Sequence, residues 1–327
     1  MSSRSVLFVG GTGTISAACV SHALDEGFEV TVFNRGRTTD RPVPDGVRVL
    51  KGDARDAAAV RDLVRRRGFD SVVNFLIWTT DQVRSDIETF AGKTGQYVFI
   101  SSASAYQKPV ARLPITESTP LSNPFWQYSR DKMACEDVLV RAYRQEGFPA
   151  TIVRPSHTYD KTMLPFEGGW TVLDRMRRGR PVVVHGDGTS LWVLTHHEDF
   201  AQAFVRLLAS PQAIGDAFHI TSDEVLTWDQ IHHIVAGAAG TEARLVHVSS
   251  EEIAQVLPCW GPPLLGDKSH SVIFDNSKVR QLVPGWTATI PFTQGAREMI
   301  EWFDGDASRQ TIDMEVDQAM DSLSKGR

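Results

Sequence analysis

Val6-Leu7-Phe8-Val9-Gly10-Gly11-Thr12-Gly13-Thr14-Ile15-Ser16 opens the chain, an apolar run that passes through glycines into a stretch of helical periodicity. Four consecutive apolar residues read as a buried strand, and glycines after a strand permit a tight turn and close approach of backbone to a ligand. The helix that follows presents free N–H groups and a partial positive charge, which suit a pyrophosphate. Strand, glycine turn and helix together point to a dinucleotide site, with Gly10 and Gly13 at its first glycine positions and Ser16 at the last. Serine is small enough for helix and strand to pack closely. Gly10, Thr12, Gly13, Thr14 and Ile15 are therefore the expected cofactor-binding turn.

Working outward, Glu29-Val30-Thr31-Val32-Phe33, Val47-Arg48-Val49-Leu50, Ser71-Val72-Val73-Asn74-Phe75 and Tyr97-Val98-Phe99-Ile100 read as strands two to five, with amphipathic stretches at about 56–67 and 80–94. Near-continuous apolar strands alternating with helices predict an α/β fold, a doubly wound parallel (Rossmann) sheet covered on both faces. Ligands in such sheets bind beyond the carboxyl ends of the strands. Strand two ends in Asn34-Arg35-Gly36-Arg37, without the acid that would bond the ribose hydroxyls of the non-phosphorylated cofactor. The rigid, permanently charged forks of Arg35 and Arg37 suit a 2′-phosphate, so NADP is the expected cofactor. Were both arginines only solvated, Asn34 could bond a ribose hydroxyl and NAD would serve. After strand three, Asp53, beside Ala54, is placed to accept from an adenine amino group, and Asp56 to cap the next helix.

Tyr128 and Lys132 stand four apart in Tyr128-Ser129-Arg130-Asp131-Lys132, which on a helix puts a phenol and an ammonium on one face. A nearby cation stabilises a phenolate, so the pair is suited to moving a proton near neutral pH. Strand five ends in Ser101-Ser102-Ala103-Ser104-Ala105-Tyr106, which brings hydroxyls to the ligand edge of the sheet.

A glycine turn after strand one, a serine after strand five and Tyr-x-x-x-Lys on the next helix resemble the extended short-chain dehydrogenases/reductases, and within them the NAD-dependent epimerase/dehydratase family. The likeness spans nearly the whole chain, since Arg154-Pro155-Ser156-His157-Thr158-Tyr159, His185-Gly186-Asp187-Gly188 and Asp275-Asn276-Ser277-Lys278 fall where that family carries related motifs. The resemblance implies that Ser102 holds the substrate oxygen, that Tyr128 is the acid/base, and that Lys132 lowers the phenol pKa while bonding the nicotinamide ribose. It also implies cofactor walls at Phe75, Leu76 and Ile77 and at Pro155 and Ser156, hydride transfer as the chemistry, and a homodimer formed through the two long helices beside the active site.

Departures from the family pattern bear on the substrate. Sugar-nucleotide epimerases hold a diphosphate with an arginine after the Gly-Asp-Gly turn, where this chain has Trp192, and with a second arginine that falls here on Leu264 or Leu265. Losing both bidentate anchors weakens the case for a diphosphate substrate. His157 stands where many of these enzymes have asparagine. With His185, His196, His197, His270, Trp170 and Trp260, it suggests an aromatic-lined pocket with neutral polar contacts. The acid and base that drive elimination in dehydratases are replaced by Ala103 and Ser104. Ser104, His157 and Trp192 are thus the expected substrate contacts, and net oxidation or reduction of a secondary alcohol or ketone is the expected reaction. The alternatives are an epimerase of a sugar or sugar nucleotide working through a transient ketone, and a non-catalytic NADP-sensing or RNA-binding relative, since chloroplast stem-loop RNA-binding proteins share the fold.

No metal is expected, because adjacent residues such as His196 and His197 point apart on a strand and no acid–histidine set completes a site. At 327 residues and 42% hydrophobic the chain can bury a large core and carry a second lobe. The expected division is a dinucleotide-binding lobe over 1–160, to which 197–222 returns, and a smaller C-terminal α+β substrate lobe over 161–327. A net charge of -6 gives no footprint for nucleic acid, and Arg65-Arg66-Arg67 reads as a solvated helix end. Cys19, Cys135 and Cys259, odd in number and widely spread, suit reduced thiols, and no secretory signal or membrane span is visible, so a cytoplasmic protein acting on a small molecule is expected. Arg41-Pro42-Val43-Pro44 marks a loop, and 258–266 a stiff, turn-rich segment.

Overall fold

The computed structural model describes residues 4–37, 40–65 and 67–327. The opening stretch forms β1 (Ser5–Val9), a glycine turn and α1 (Ser16–Asp25), followed by β2 (Glu29–Asn34), β3 (Arg48–Lys51), α2 (Ala57–Val64), β4 (Ser71–Asn74), α3 (Thr80–Phe90), β5 (Tyr97–Ile100), the long α4 (Gln127–Glu146) and β6 (Ala150–Pro155). Every residue of β1, β4, β5 and β6 is buried, as continuous apolar strands require. Asp56 caps α2 by accepting from the amides of Ala58 and Ala59. Thr79 and Gln82 form a reciprocal capping box that starts α3.

Beyond β6 the chain forms β7 (His157–Tyr159), α5 (Trp170–Arg177), β8 (Pro181–His185), β9 (Leu191–Trp192), β10 (Leu194–His196), α6 (His197–Arg206), β11 (Ala217–Ile220), β12 (Leu226–Thr227), α7 (Trp228–Ala238), β13 (Arg244–Val248) and α8 (Ser250–Val256). The main sheet has seven parallel strands in the order β11-β6-β5-β4-β1-β2-β3. The chain runs outward from β1 through β2 to β3, then returns to the other side of β1 at β4, so the strand order reverses between β1 and β4. A crevice opens at such a reversal beyond the carboxyl ends of the strands.

One face of the sheet buries Val6, Phe8, Val32 and Val73 against Ala18 and Val20 of α1 and Phe200 and Phe204 of α6. The other buries Leu7, Val9, Val72 and Phe99 with Cys135 and Leu139 of α4. A separate core forms around Trp170, Leu173, Met176, Trp228, Ile231, Phe292 and Met299, and the short pairs β7–β10, β8–β13 and β9–β12 lie outside the main sheet. Each fully buried side chain of this size contributes roughly 1.5–3 kcal/mol.

Two local arrangements set the crevice wall. A Cβ on Gly11 would lie 2.8 Å from both γ-methyls of Val32, so only glycine lets the turn pass this close to β2. Behind the other wall, the Asp86 carboxylate of α3 accepts from Asn74 Nδ2 at 2.7 Å and from the Tyr97 hydroxyl at 2.6 Å, while Asn74 Oδ1 accepts from the amide of Leu76 at 2.9 Å. The turn after β4 is thereby anchored to a buried acid. Burial pushes the Asp86 carboxyl up to about 6, against the lowering effect of those two hydrogen bonds.

Gly11→Ala should lower unfolding free energy by about 1–3 kcal/mol in a denaturant titration, as forced overpacking does. For Asp86 the folded pKa lies above the unfolded one, so between about pH 4 and 6 the native state holds a proton that the unfolded state has released. The stability difference between wild type and Asp86→Asn should therefore fall as pH rises through that window, by on the order of 3 kcal/mol, and level off above it. Denaturant midpoints of both proteins at several pH values check this.

Candidate functional site

The carboxyl ends of β1, β4, β5 and β6 open on a cleft of about 1010 Å³. Gly10, Thr12, Gly13, Thr14 and Ile15 line one end together with Asn34, Arg35, Arg37, Asp53, Ala54, Phe75 and Leu76. Gly10 has φ +81, and a Cβ there would meet Leu76 Cγ at 2.8 Å, so glycine is required by both conformation and space. No side chain caps the N-terminus of α1, which leaves its first turn open to a ligand. Ser16, at the third position of the turn, is buried and its hydroxyl accepts from the Gly13 amide at 2.8 Å, so it locks the turn as well as filling it. Leu76 and Trp78 remain 40% and 50% exposed at the cleft, an apolar surface suited to covering by a flat ligand.

Ile77 departs from the expectation. It is buried in the core behind the cleft and contributes only its carbonyl, which accepts from Lys132 Nζ at 2.7 Å. The turn after β4 alternates its side chains, so Leu76 and Trp78 face the cleft while Ile77 faces the sheet. Arg35 and Arg37 are exposed at the rim, and Asn34 spends its side-chain oxygen on the Gly36 amide at 2.9 Å. Arg41, in the loop between β2 and β3, reaches across to the segment that follows β7. Its Nε donates to Asp160 Oδ2 at 2.5 Å and its Nη2 to Thr162 and, at 3.2 Å, to Thr14 Oγ1 in the glycine turn.

The Ser102, Tyr128 and Lys132 side chains meet in the middle of the cleft. Ser102 lines the cleft beside Tyr128 and lies 2.9 Å from Ser104 Oγ, to which Ser129 donates at 2.8 Å, forming a run of hydroxyls from β5 to α4. Lys132 is buried, with Nζ 5.8 Å from the Tyr128 ring centroid and donating to the carbonyls of Ile77 and of Ile100, the latter at 2.9 Å. The expected lowering of the phenol pKa is not what the structure shows. The Tyr128 pKa is raised, first by burial, with the Ser102 bond lowering it and the Asp267 carboxylate raising it again. Lys132 does not offset this burial, since its ammonium is turned toward two carbonyls and its own pKa is lowered by burial to about 8. Trp126 and Trp78 flank the phenol, with ring centroids 4.9 and 6.0 Å away.

At the far end, Pro155, Ser156, His157 and Trp192 line the cleft. Trp192 Nε1 donates to His157 Nδ1 at 3.1 Å, which fixes the neutral imidazole with its proton on Nε2. Burial, aided by the nearby Lys268 charge, holds the His157 pKa down to about 3, so the ring stays neutral. Leu264 is buried in the core around Trp170 and Trp228, and neither it nor Leu265 lines the cleft. The same segment supplies Pro263, Asp267 and Lys268 instead, because 264–268 winds as a π-helix that no local composition signal announced. Of the expected aromatic lining only His157 and Trp192 take part. Trp170 belongs to that same core, His185 bonds the Lys268 carbonyl at 3.0 Å, and Phe75, Trp78, Trp126 and Phe274 line the cleft in their place.

His196 and His197 do not point apart. They straddle the junction of β10 and α6 with ring centroids 4.6 Å apart, and His196 both caps α6 and lies 2.9 Å from Glu298. Among the described residues no group of three or more His, Cys, Asp or Glu side chains is arranged to hold a metal ion. Arg65 lies 3.7 Å from Asp62, Arg67 makes a two-point pair with Glu29, and Arg66 lies outside the described residues. Asp275–Lys278 stays outside the cleft, where Asn276 clasps Thr221 at the end of β11 through 2.9 and 3.1 Å bonds. Among the described residues no helix is long and apolar enough to cross a membrane.

The chain is 27% identical over 287 residues to 2′-dehydrokanamycin reductase of Streptomyces kanamyceticus, covering 86% of this chain and 79% of that one. It is 25% identical over 335 residues to the chloroplast stem-loop binding protein of 41 kDa b of Arabidopsis thaliana, covering 98% and 84%. Among solved structures, dTDP-glucose 4,6-dehydratase of Bacillus anthracis, in complex with NAD, superimposes with a TM-score of 0.73 at 16% identity, covering 94% of this chain and 98% of that one, which shows a shared fold. Residues 6–221, which carry the glycine turn, the Ser102–Tyr128–Lys132 cluster and the return strand β11, match the NAD dependent epimerase/dehydratase family model, and the chain belongs to that family of extended short-chain dehydrogenases/reductases.

Proposed function

We propose that the protein is an NADP-dependent oxidoreductase that interconverts a ketone and a secondary alcohol on a small, hydroxylated molecule carrying no diphosphate. The observation that carries this reading is the meeting of the Ser102, Tyr128 and Lys132 side chains in one cleft at the mouth of β5, with no carboxylate at Ala103 or Ser104 to drive elimination. The glycine turn fits a dinucleotide, since a Cβ on Gly10 or Gly11 would clash with the cleft wall and α1 offers an uncapped first turn. When bound, the nicotinamide supplies or accepts the hydride. Ser102 donates to the substrate oxygen, and Tyr128 moves the proton to or from it. Tyr128 is protonated at neutral pH, as a phenol with an ordinary pKa of ~10 already would be, and so is in the form that gives its proton to a ketone oxygen. On cofactor binding Lys132 would exchange a backbone carbonyl for the ribose hydroxyls.

The remaining roles follow from the same reading. Gly10, Thr12, Gly13, Thr14 and Ile15 hold the pyrophosphate, Asp53 and Ala54 the adenine, Phe75, Leu76, Pro155 and Ser156 the nicotinamide half, and Ser104, His157 and Trp192 the substrate. Arg35 and Arg37 select the 2′-phosphate, being exposed at the cleft rim where no acid ends β2. The lobes divide as 1–160 with 197–222, and the rest of 161–327. A cytoplasmic homodimer built on α3 and α4 completes the proposal. Net reduction is favoured over epimerisation because Trp192 replaces one distal anchor and Leu264 is buried away from the cleft. Similarity to 2′-dehydrokanamycin reductase over 86% of the chain supports a carbohydrate-like ketone.

With purified protein, NADPH and a panel of cyclic polyhydroxy ketones, turnover should appear as loss of nicotinamide absorbance. Tyr128→Phe should lower kcat by about 10²–10⁴-fold while changing NADPH affinity less than about threefold. No turnover on any ketone, with RNA retained on a filter, would move the reading to the stem-loop-binding relatives. Fluorescence titration should show NADPH binding more tightly than NADH, and the Arg35→Ala, Arg37→Ala double substitution should remove most of that preference, about tenfold or more. Equal affinity for the two cofactors would contradict the assignment of the arginines.

A further inference from the structure

The substrate end of the cleft holds one carboxylate that the hydride and proton chemistry does not use. Asp267 sits on the π-helix Leu264–Lys268 and lines the cleft with Tyr128, Trp192 and Lys268. Behind it stands Lys108, whose side chain is 0% exposed and whose Nζ lies 3.1 Å from Asp267 Oδ1. That ammonium has no well-aligned hydrogen bond, so the contact with Asp267 is chiefly one of charge. A fully buried cation costs several kcal/mol unless its counter-ion is kept close, so Lys108 holds the Asp267 carboxyl group in place against it.

The backbone around Asp267 is fixed to the reacting centre. Asn123 Nδ2 donates both to the Ser104 carbonyl at 2.8 Å and to the Gly266 carbonyl at 2.7 Å, tying the Ser102–Ser104 turn to the π-helix. A Cβ on Gly266 would lie 2.8 Å from Trp126 Cβ, so the π-helix packs directly against the start of α4, two residues before Tyr128. The carboxylate is therefore held beside the phenol by packing and by bonds to both elements, and its charge reaches the phenol.

We propose that Asp267 is a specificity-determining residue that accepts a hydrogen bond from a hydroxyl or ammonium group on the carbon next to the one oxidised or reduced. This rests on the redox reading of Ser102 and Tyr128 given above. Ionised carboxylates only accept, and Lys108 engages one oxygen from behind, so the second oxygen selects a donor from the substrate. Lys268, the neighbouring cation, is paired with Glu167 and so is not the anchor of a free anion. The substrate class is thus a vicinal diol or vicinal amino alcohol, or the matching α-hydroxy or α-amino ketone.

Binding to the enzyme–NADP+ complex tests this without turnover. Calorimetric titrations with trans-cyclohexane-1,2-diol, trans-2-aminocyclohexanol and trans-2-methoxycyclohexanol compare two donors with an acceptor of similar size. Wild type should bind at least one donor compound tenfold or more tighter than the methoxy compound, and Asp267→Asn, which can donate as well as accept, should reduce that ratio below threefold. Should Asp267→Asn leave Lys108 too poorly compensated to fold, the double substitution Lys108→Met, Asp267→Asn removes both charges and is read in the same way. Asp267→Glu should retain part of the preference, which a merely structural role would not predict. Equal binding of the three compounds by wild type, or an unchanged ratio in the Asn variant, overturns the assignment. Donor preference without any NADPH-linked turnover would count against the redox reading and leave the Asp267 contact standing.

Discussion

A buried carboxylate on α4, Glu136, fixes the spacing of the elements that carry the site. It takes three bonds from Arg154 of β6, at 2.6, 3.0 and 3.3 Å, and a fourth from the Ser101 hydroxyl at the end of β5, at 2.5 Å. Glu136 lies one helical turn beyond Lys132, and Ser101 immediately precedes Ser102, so one ion pair sets the serine against the tyrosine and lysine. Arg154 extends the chain outward through the Tyr106 hydroxyl to His219 of β11, whose Nε2 is 2.8 Å from the Asp275 carbonyl. Buried pairs of this kind are costly to break from one side, about 3–5 kcal/mol, because the remaining charge has nowhere to go. The network therefore makes β5, β6, β11 and α4 one rigid frame, and the cleft inherits its geometry from that frame.

The sheet was legible because its signals are local and redundant. Four buried apolar residues before Gly10 define β1, and the later apolar runs are set off by helices or by a polar, turn-rich loop, so the strand boundaries fall within a residue or two of expectation. The glycine turn was legible for the same reason, down to Ser16, although its hydroxyl adds a bond to the Gly13 amide that size alone did not suggest. Side-chain direction within a turn was less accessible. Ile77 follows Leu76 in an apolar stretch and reads identically to it, yet the turn after β4 sends one into the cleft and the other into the core.

The substrate half resisted sequence reading for a different physical cause. Its lining comes from residues distant in the chain and oriented by irregular backbone, with Trp78 before a capping box, Trp126 before α4 and Asp267 on a π-helix. None of these has a periodicity that marks it. His196 and His197 show the opposite error, since strand alternation was assumed where the chain in fact passes from β10 into α6 between them. The electrostatics of the phenol were likewise set by tertiary placement. A spacing of four brought Lys132 near Tyr128, but burial and two backbone carbonyls decided where its ammonium points.

On the proposed function, this frame presents Tyr128 and Lys132 to a nicotinamide bound over the glycine turn. A crystal structure of the protein with NADP+ tests it most directly. The account predicts the pyrophosphate on the first turn of α1, the nicotinamide between Leu76 and Pro155, and Lys132 Nζ bonded to the ribose in place of a carbonyl. A dinucleotide bound elsewhere, or a nicotinamide remote from Tyr128 with Lys132 still on the carbonyls of Ile77 and Ile100, would contradict it.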